Sequence, residues 1–180
     1  MMDYTQLAAI AEKAEFTEWV PLDIETVKLK PEVRDMCAGG SCQQYGKRWS
    51  CPPGCGTLES CREKVNQYSY GILVQTVGDV EDSFDIETML EIQEVHKVRF
   101  EKMHKAILEQ GVQVLALGAG CCTHCKECTY PDAPCRFPDR MVSSMEAYGM
   151  LVLDVCKANG MQYYYGSDKI AYTSCFLLQG

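Results

Sequence analysis

Apolar and polar positions along the chain follow two periods, and each change of period marks a change of element. Leu7, Ile10 and Ala11 sit among charged residues at helical spacing and predict an amphipathic helix over about 4–14, whereas Val20, Leu22, Ile24 and Val27 recur as in a strand over about 19–29. Thr57 is placed to cap a helix reaching about 68, and the apolar run 71–77 then reads as a buried strand. Ile86, Met89, Leu90, Val95, Val98, Met103, Ile107 and Leu108 keep helical spacing over 85–110, with Gly111 as the stop. A third strand is expected at 112–117. Ser143-Ser-Met-Glu146 has the form of a capping box and predicts a helix ending near Asn159-Gly160. The stretches 163–165 and 170–178, separated by Gly166-Ser167-Asp168, read as a closing hairpin.

Strands alternating with helices predict an α/β fold: a single domain over 1–180 with a mixed sheet, flanking helices and two long cysteine-rich loops. An apolar fraction of 47% in 180 residues suffices for one core and is cramped for two. The loops, about 37–61 and 118–140, fit neither period. The first holds Gly39, Gly40, Gly46, Pro52, Pro53 and Gly54, a composition that resists helix and strand alike, so its order must come from a ligand. Both loops are expected to follow strands. In a parallel sheet they would emerge at the carboxyl ends, where open α/β sheets place ligands.

Twelve cysteines are far above ordinary usage and pose a choice between disulfides and metal. The first eighteen residues lack the basic start and apolar core of a secretory signal, and the longest apolar stretch, 112–119, falls well short of the ~20 residues that span a bilayer. A cytoplasmic protein away from the membrane is expected, with reduced thiols, in which clustered cysteines mean metal. The formal charge of -8 counts each thiol as neutral. Two 4Fe-4S centres on four thiolates each would carry it to roughly -12. Such a chain has no use for nucleic acid, whose binding needs clustered cations; a redox protein or a small molecule is the expected partner.

Cys122-x2-Cys125-x2-Cys128 has the core spacing of ferredoxin cluster loops, and Cys135 supplies a fourth thiolate. Three residues reach at most about 10 Å, so successive cysteines can meet different irons of one cube. Cys135 follows after six residues instead of the ferredoxin three, which departs from that family while leaving the chemistry intact. Structural zinc is the alternative, with His124 able to replace one thiolate. Cys121 falls outside the even spacing and reads as a bystander, His124 as an exposed side chain or one supporting a ligand, and Lys126 and Arg136 as solvated cations.

The other group offers five thiols in 25 residues: Cys37, Cys42, Cys51, Cys55 and Cys61. Its prolines fix the backbone and its glycines permit turns around a bulky anion, so a second metal site is expected. Cys55, just before a helix, or Cys61, in its first turns, completes the set begun by Cys37, Cys42 and Cys51. If neither does, one iron stays open and Lys47, Arg48 and Trp49 flank the opening. Cys156 and Cys175 stand in apolar stretches as core residues, and His96 and His104 are expected to be solvated on the long charged helix.

Cys-x4-Cys followed by Tyr-Gly-Lys and Trp-x-Cys-Pro-Pro, over 37–53, and the Cys-x2-Cys-x2-Cys, Cys-Arg-x-Pro and Ser-Met-Glu-Ala-x-Gly elements, over 122–149, resemble an uncharacterised family of small cysteine-rich proteins described as predicted metal-binding. The resemblance implies metal or iron-sulfur binding through the matched cysteines and no set reaction. Residues 144–149 then either cap and pack a helix, the favoured reading, or wall a cluster. Three functions follow as expectations: a two-cluster protein for electron transfer or redox sensing, an enzyme with an open-iron cluster in the first loop, or a zinc-stabilised binding module.

Overall fold

A computed structural model describes residues 2–40 and 42–180. Four strands, β1 (Glu18–Leu22), β2 (Tyr70–Asp79), β3 (Val114–Leu117) and β4 (Lys169–Leu178), form one sheet in the order β1-β2-β4-β3. All three pairings are antiparallel. The α/β domain with flanking helices is therefore as the pattern predicts, while the named strands pair antiparallel throughout and the one isolated parallel bridge described is Gly118 to Ser144 at the root of the second loop.

β2 and β4 pair over ten residues each, from Tyr70 opposite Leu178 to Asp79 opposite Lys169, and both lie inside the sheet. Their side chains alternate between two covered faces, which is why 71–77 reads as a continuous apolar run. On one face Ile72, Val74, Phe176 and Leu178 meet Leu7 and Ala11 of α1 (Tyr4–Lys13) and Phe100, Met103 and Ile107 of α4 (Ile86–Leu108). Phe100 stacks on Phe176 with ring centroids 4.8 Å apart. On the other face Leu73, Leu117, Cys175 and Leu177 meet Val65 of α3 (Leu58–Val65) and Val155 and Cys156 of α5 (Val152–Ala158), with Met145 and Met150 beside them. Three layers result. Asp85 caps α4 by accepting from the Thr88 amide, Thr57 caps α3 by accepting from the Ser60 amide, and Gly111 takes φ +70° after α4.

Four elements differ from expectation. The strand expected over 19–29 ends at Leu22, because the Asp23 carboxylate accepts from the Glu25 amide and opens a 3-10 turn, Ile24–Thr26. A helix, α2 (Pro31–Ala38), starts with Pro31 in its first turn and lies between β1 and the first cysteine loop, which therefore follows a helix. The helix expected from Ser143 is cut: Glu146–Tyr148 form a 3-10 turn, Gly149 takes φ +88°, and α5 starts at Val152. A Cβ on Gly149 would stand 2.9 Å from the Lys30 carbonyl, and the Lys30 amide donates to the Gly149 carbonyl at 2.7 Å, so the break anchors the start of α2. Residues 163–165 form no strand; Tyr165 instead donates its hydroxyl to Gln75, whose amide donates to the Gln162 carbonyl.

The histidines of α4 also depart from the solvated reading. His96 is 1% exposed, with Nδ1 3.0 Å from the Thr76 hydroxyl and Nε2 2.6 Å from the Ser174 hydroxyl. Burial, with Arg99 adding to it, pulls its pKa down to about 3. His104 is half-buried against Phe100 and Phe176 and is likewise depressed by burial. Among the described residues no helix is long and apolar enough to cross a membrane.

Candidate metal centres

The second cysteine loop is pinned at its root. Gly118 donates to the Ser143 carbonyl and accepts from the Met145 amide, extending β3 by one bridge toward Ser144. Beyond it the chain curls so that Cys122, Cys125, Cys128 and Cys135 line one cavity together with His124, Phe137 and Met141. The long spacing before Cys135 is taken up by a turn: the Ala133 amide donates to the Thr129 carbonyl, the Thr129 hydroxyl to the Pro134 carbonyl, and Arg136 to the Glu127 carbonyl. These bonds carry the backbone back on itself, and Cys135, seven positions after Cys128, comes to line the same cavity.

The first group is spread over two helices and the loop between them. Cys37 closes the last turn of α2, and Arg34, one turn earlier, donates to the Gly56 carbonyl at 2.7 Å and reaches the Cys55 sulfur at 3.8 Å. The loop folds on itself through the Gly46 amide on the Pro52 carbonyl and the Cys55 amide on the Cys51 carbonyl. Cys37 and Cys42 are neighbours, and burial followed by Cys42 raises the Cys37 thiol. Burial pushes Cys51 up to about 11, the Ser50 hydroxyl opposing it and the neighbouring Cys121 and Cys42 adding to it.

Cys55 and Cys61 form a separate pair. Their close contact raises Cys55 and lowers Cys61, and Cys55 donates to the Ala147 carbonyl at 3.6 Å. Cys61 has no exposed surface and belongs to the apolar core on the α3 face of the sheet. Residues 146–148 pack on α2 and α3 beside the first cysteine group, while Ser144 and Met145 tie to Gly118 at the root of the second loop. Cys156 and Cys175 are buried core thiols, both raised by burial.

The two loops dock on each other. Ser50 accepts from the Cys122 amide at 3.1 Å, Arg48 donates to the Cys122 carbonyl at 3.0 Å, and the Trp49 indole donates to the Ala133 carbonyl at 3.0 Å. Trp49 meets Tyr130 edge to face at 4.8 Å. Arg48, Trp49 and Ser50 thereby close one side of the four-thiol cavity. Gly54 permits this approach: a Cβ there would stand 2.6 Å from the Arg48 carbonyl and 3.0 Å from the Tyr130 ring. Cys121, read from spacing as a bystander, lies beside Cys51 at the seam. Tyr130 and Arg34 carried no signal in the sequence, because each acts through a partner at least twenty residues away, and the tie from Ser50 to the Cys122 amide is equally remote.

The donor set suits a thiophilic metal. Four thiols share one cavity, and in the first loop burial and mutual crowding hold Cys37 and Cys51 protonated, a cost that a bound cation removes by taking the thiolates as ligands. Among the described residues no three His, Cys, Asp or Glu are arranged around a single ion. No curated protein and no solved structure matches the chain significantly. Residues 20–178 match the family described as Predicted metal-binding protein (DUF2284). With its cysteine loops inside that span, the chain belongs to this predicted metal-binding family.

Proposed function

We propose that the chain is an iron-sulfur protein carrying two 4Fe-4S centres that serve electron transfer or redox sensing. The carrying observation is that Cys122, Cys125, Cys128 and Cys135, with ferredoxin-like spacing in their first three members, line a single cavity. These four would hold one centre; Cys37, Cys42 and Cys51 would hold the other, with Cys55 or Cys61 as the fourth thiolate. A bound cluster supplies one-electron chemistry. The chain's own contribution is enclosure: Trp49, Phe137 and Met141 line the cavity with apolar surface, and the Arg48 guanidinium brings a positive charge to its wall.

A second reading has its own observation. Cys61 is sealed in the apolar core beside the buried Cys55, so three thiols of the first loop remain better placed as ligands. A cluster held by three thiolates keeps one iron open to a substrate, and the protein would then be an enzyme. Anaerobic purification with iron, sulfide and zinc analysis tests both. The two-centre reading expects about eight irons per chain and about four after Cys128→Ser. Colourless protein holding zinc without iron or sulfide overturns it in favour of a zinc-stabilised binding module. If Cys55→Ser and Cys61→Ser each keep the iron of the first loop, the open-iron reading stands; if both lose it, that reading fails.

A further inference from the structure

A cleft of about 430 Å³ opens between α4 and the root of the second cysteine loop. That volume lies in the range of small-molecule sites. Cys122 and His124 line both this cleft and the four-thiol cavity, so an occupant would lie one residue from the candidate metal centre. One wall is the face of α4 that carries Phe100, His104 and Leu108; the other is the backbone of 118–123 with Val142.

The inner surface is aromatic. Phe100 is fixed against Phe176, and the His104 ring is tilted over both at 6.1 and 6.2 Å. The His104 ring nitrogens make no hydrogen bond among the described residues, and burial lowers the pKa of the ring against the opposing pull of Glu101. Such a surface favours a flat conjugated ring, through offset stacking and apolar contact.

The lining carries charges of both signs, Lys97, Lys105 and Arg140 beside Glu101 and Asp139, on a chain of net charge -8. Lys97 is paired with Glu94, Lys105 stands 3.8 Å from Glu109, and Glu101 faces His124 at 3.8 Å. Arg140 has no ion pair among the described residues; its guanidinium lies 5.8 Å from the Phe137 ring centroid. It is the cation free to receive an acid group, and guanidinium is the side chain best shaped for one.

We propose that this cleft binds a flat, anionic redox carrier of the quinone class, stacked on Phe100 and His104 with its acid group on Arg140. The redox role of the occupant rests on the iron-sulfur reading; the binding itself does not. The test titrates oxidised, as-purified protein with naphthoquinone sulfonate, and with the same ring lacking the sulfonate, by calorimetry. Saturable one-to-one binding of the sulfonate is expected, weakened roughly tenfold or more by Arg140→Glu and also by Leu108→Glu, with the uncharged ring affected less. Both substituted residues are exposed, so folding is not at stake. Absence of saturable binding, or binding that neither substitution weakens, overturns the proposal. Iron and sulfide analysis of the same samples reads the cluster assignment separately: quinone binding to protein without iron removes the redox role and leaves the site.

Discussion

The sheet with its helices and the layer made by the two cysteine loops are ordered in opposite ways. In the sheet every strand position between Ile72 and Val74, and between Cys175 and Leu178, is buried without exposed surface, and order follows from apolar area removed from water. In the loops the thiols are half-exposed at Cys37, Cys42 and Cys122 to Cys135, glycines and prolines recur, and the loops are tied to each other by a few polar contacts. The lesson is that a fold can delegate shape to one region and chemistry to another, joined at few points. Gly118 and the α2 start at Lys30 are two of those points.

The comparison can be broken most severely from the sheet. Phe176→Ala removes the central ring of the α4 face and should cost about 3–5 kcal/mol by urea denaturation, while the metal content per folded chain stays at the wild-type value. Metal lost in proportion to stability would show that the two regions are one cooperative unit. A smaller effect comes from the seam. Gly54→Ala forces a Cβ against the Arg48 carbonyl and should cost about 1–3 kcal/mol, with faster proteolysis confined to the two loops and faster metal release to a chelator. Cleavage spread over the strands instead would place Gly54 in the body of the fold.

The smallest effect is read by pH. In the unfolded chain His96 takes a proton below about 6.5, while in the folded protein burial delays this to about 3. Stability is therefore whole above pH 6.5 and lost as pH falls through that window, by up to about 1.4 kcal/mol per pH unit, with His104 adding in the same direction. Denaturation at pH 7.0, 6.0 and 5.5 should show the slope in the wild type and a shallower one in His96→Gln. Equal slopes would remove His96 as the acid-sensitive group of the sheet.

How much was legible in the sequence follows from the same division. The buried strand at 71–77, the long helix with Asp85 before it and Gly111 after it, and the Thr57 cap are local patterns, and local chemistry decides them. Gly149 was missed because the capping-box pattern is local while the approach of Lys30 that demands a break is not. His96 was missed for a similar reason: on its own helix it sits among charges, and its partners Thr76 and Ser174 lie 20 and 78 residues away. Spacing picked out Cys122, Cys125 and Cys128 as a set that the structure gathers at one cavity, but the docking of Ser50 and Trp49 onto the second loop has no counterpart in spacing at all.

β4 is the last strand in chain order and yet lies between β2 and β3 in the sheet. During synthesis both cysteine loops leave the ribosome before the strand that gives β3 its partner. For that interval ten of the twelve thiols belong to a chain whose sheet cannot close, since only Cys156 and Cys175 come after residue 135. Metal loading before β4 emerges would act on an unfinished scaffold, so the topology favours delivery once β4 has emerged and makes the nascent chain the form most exposed to oxidants.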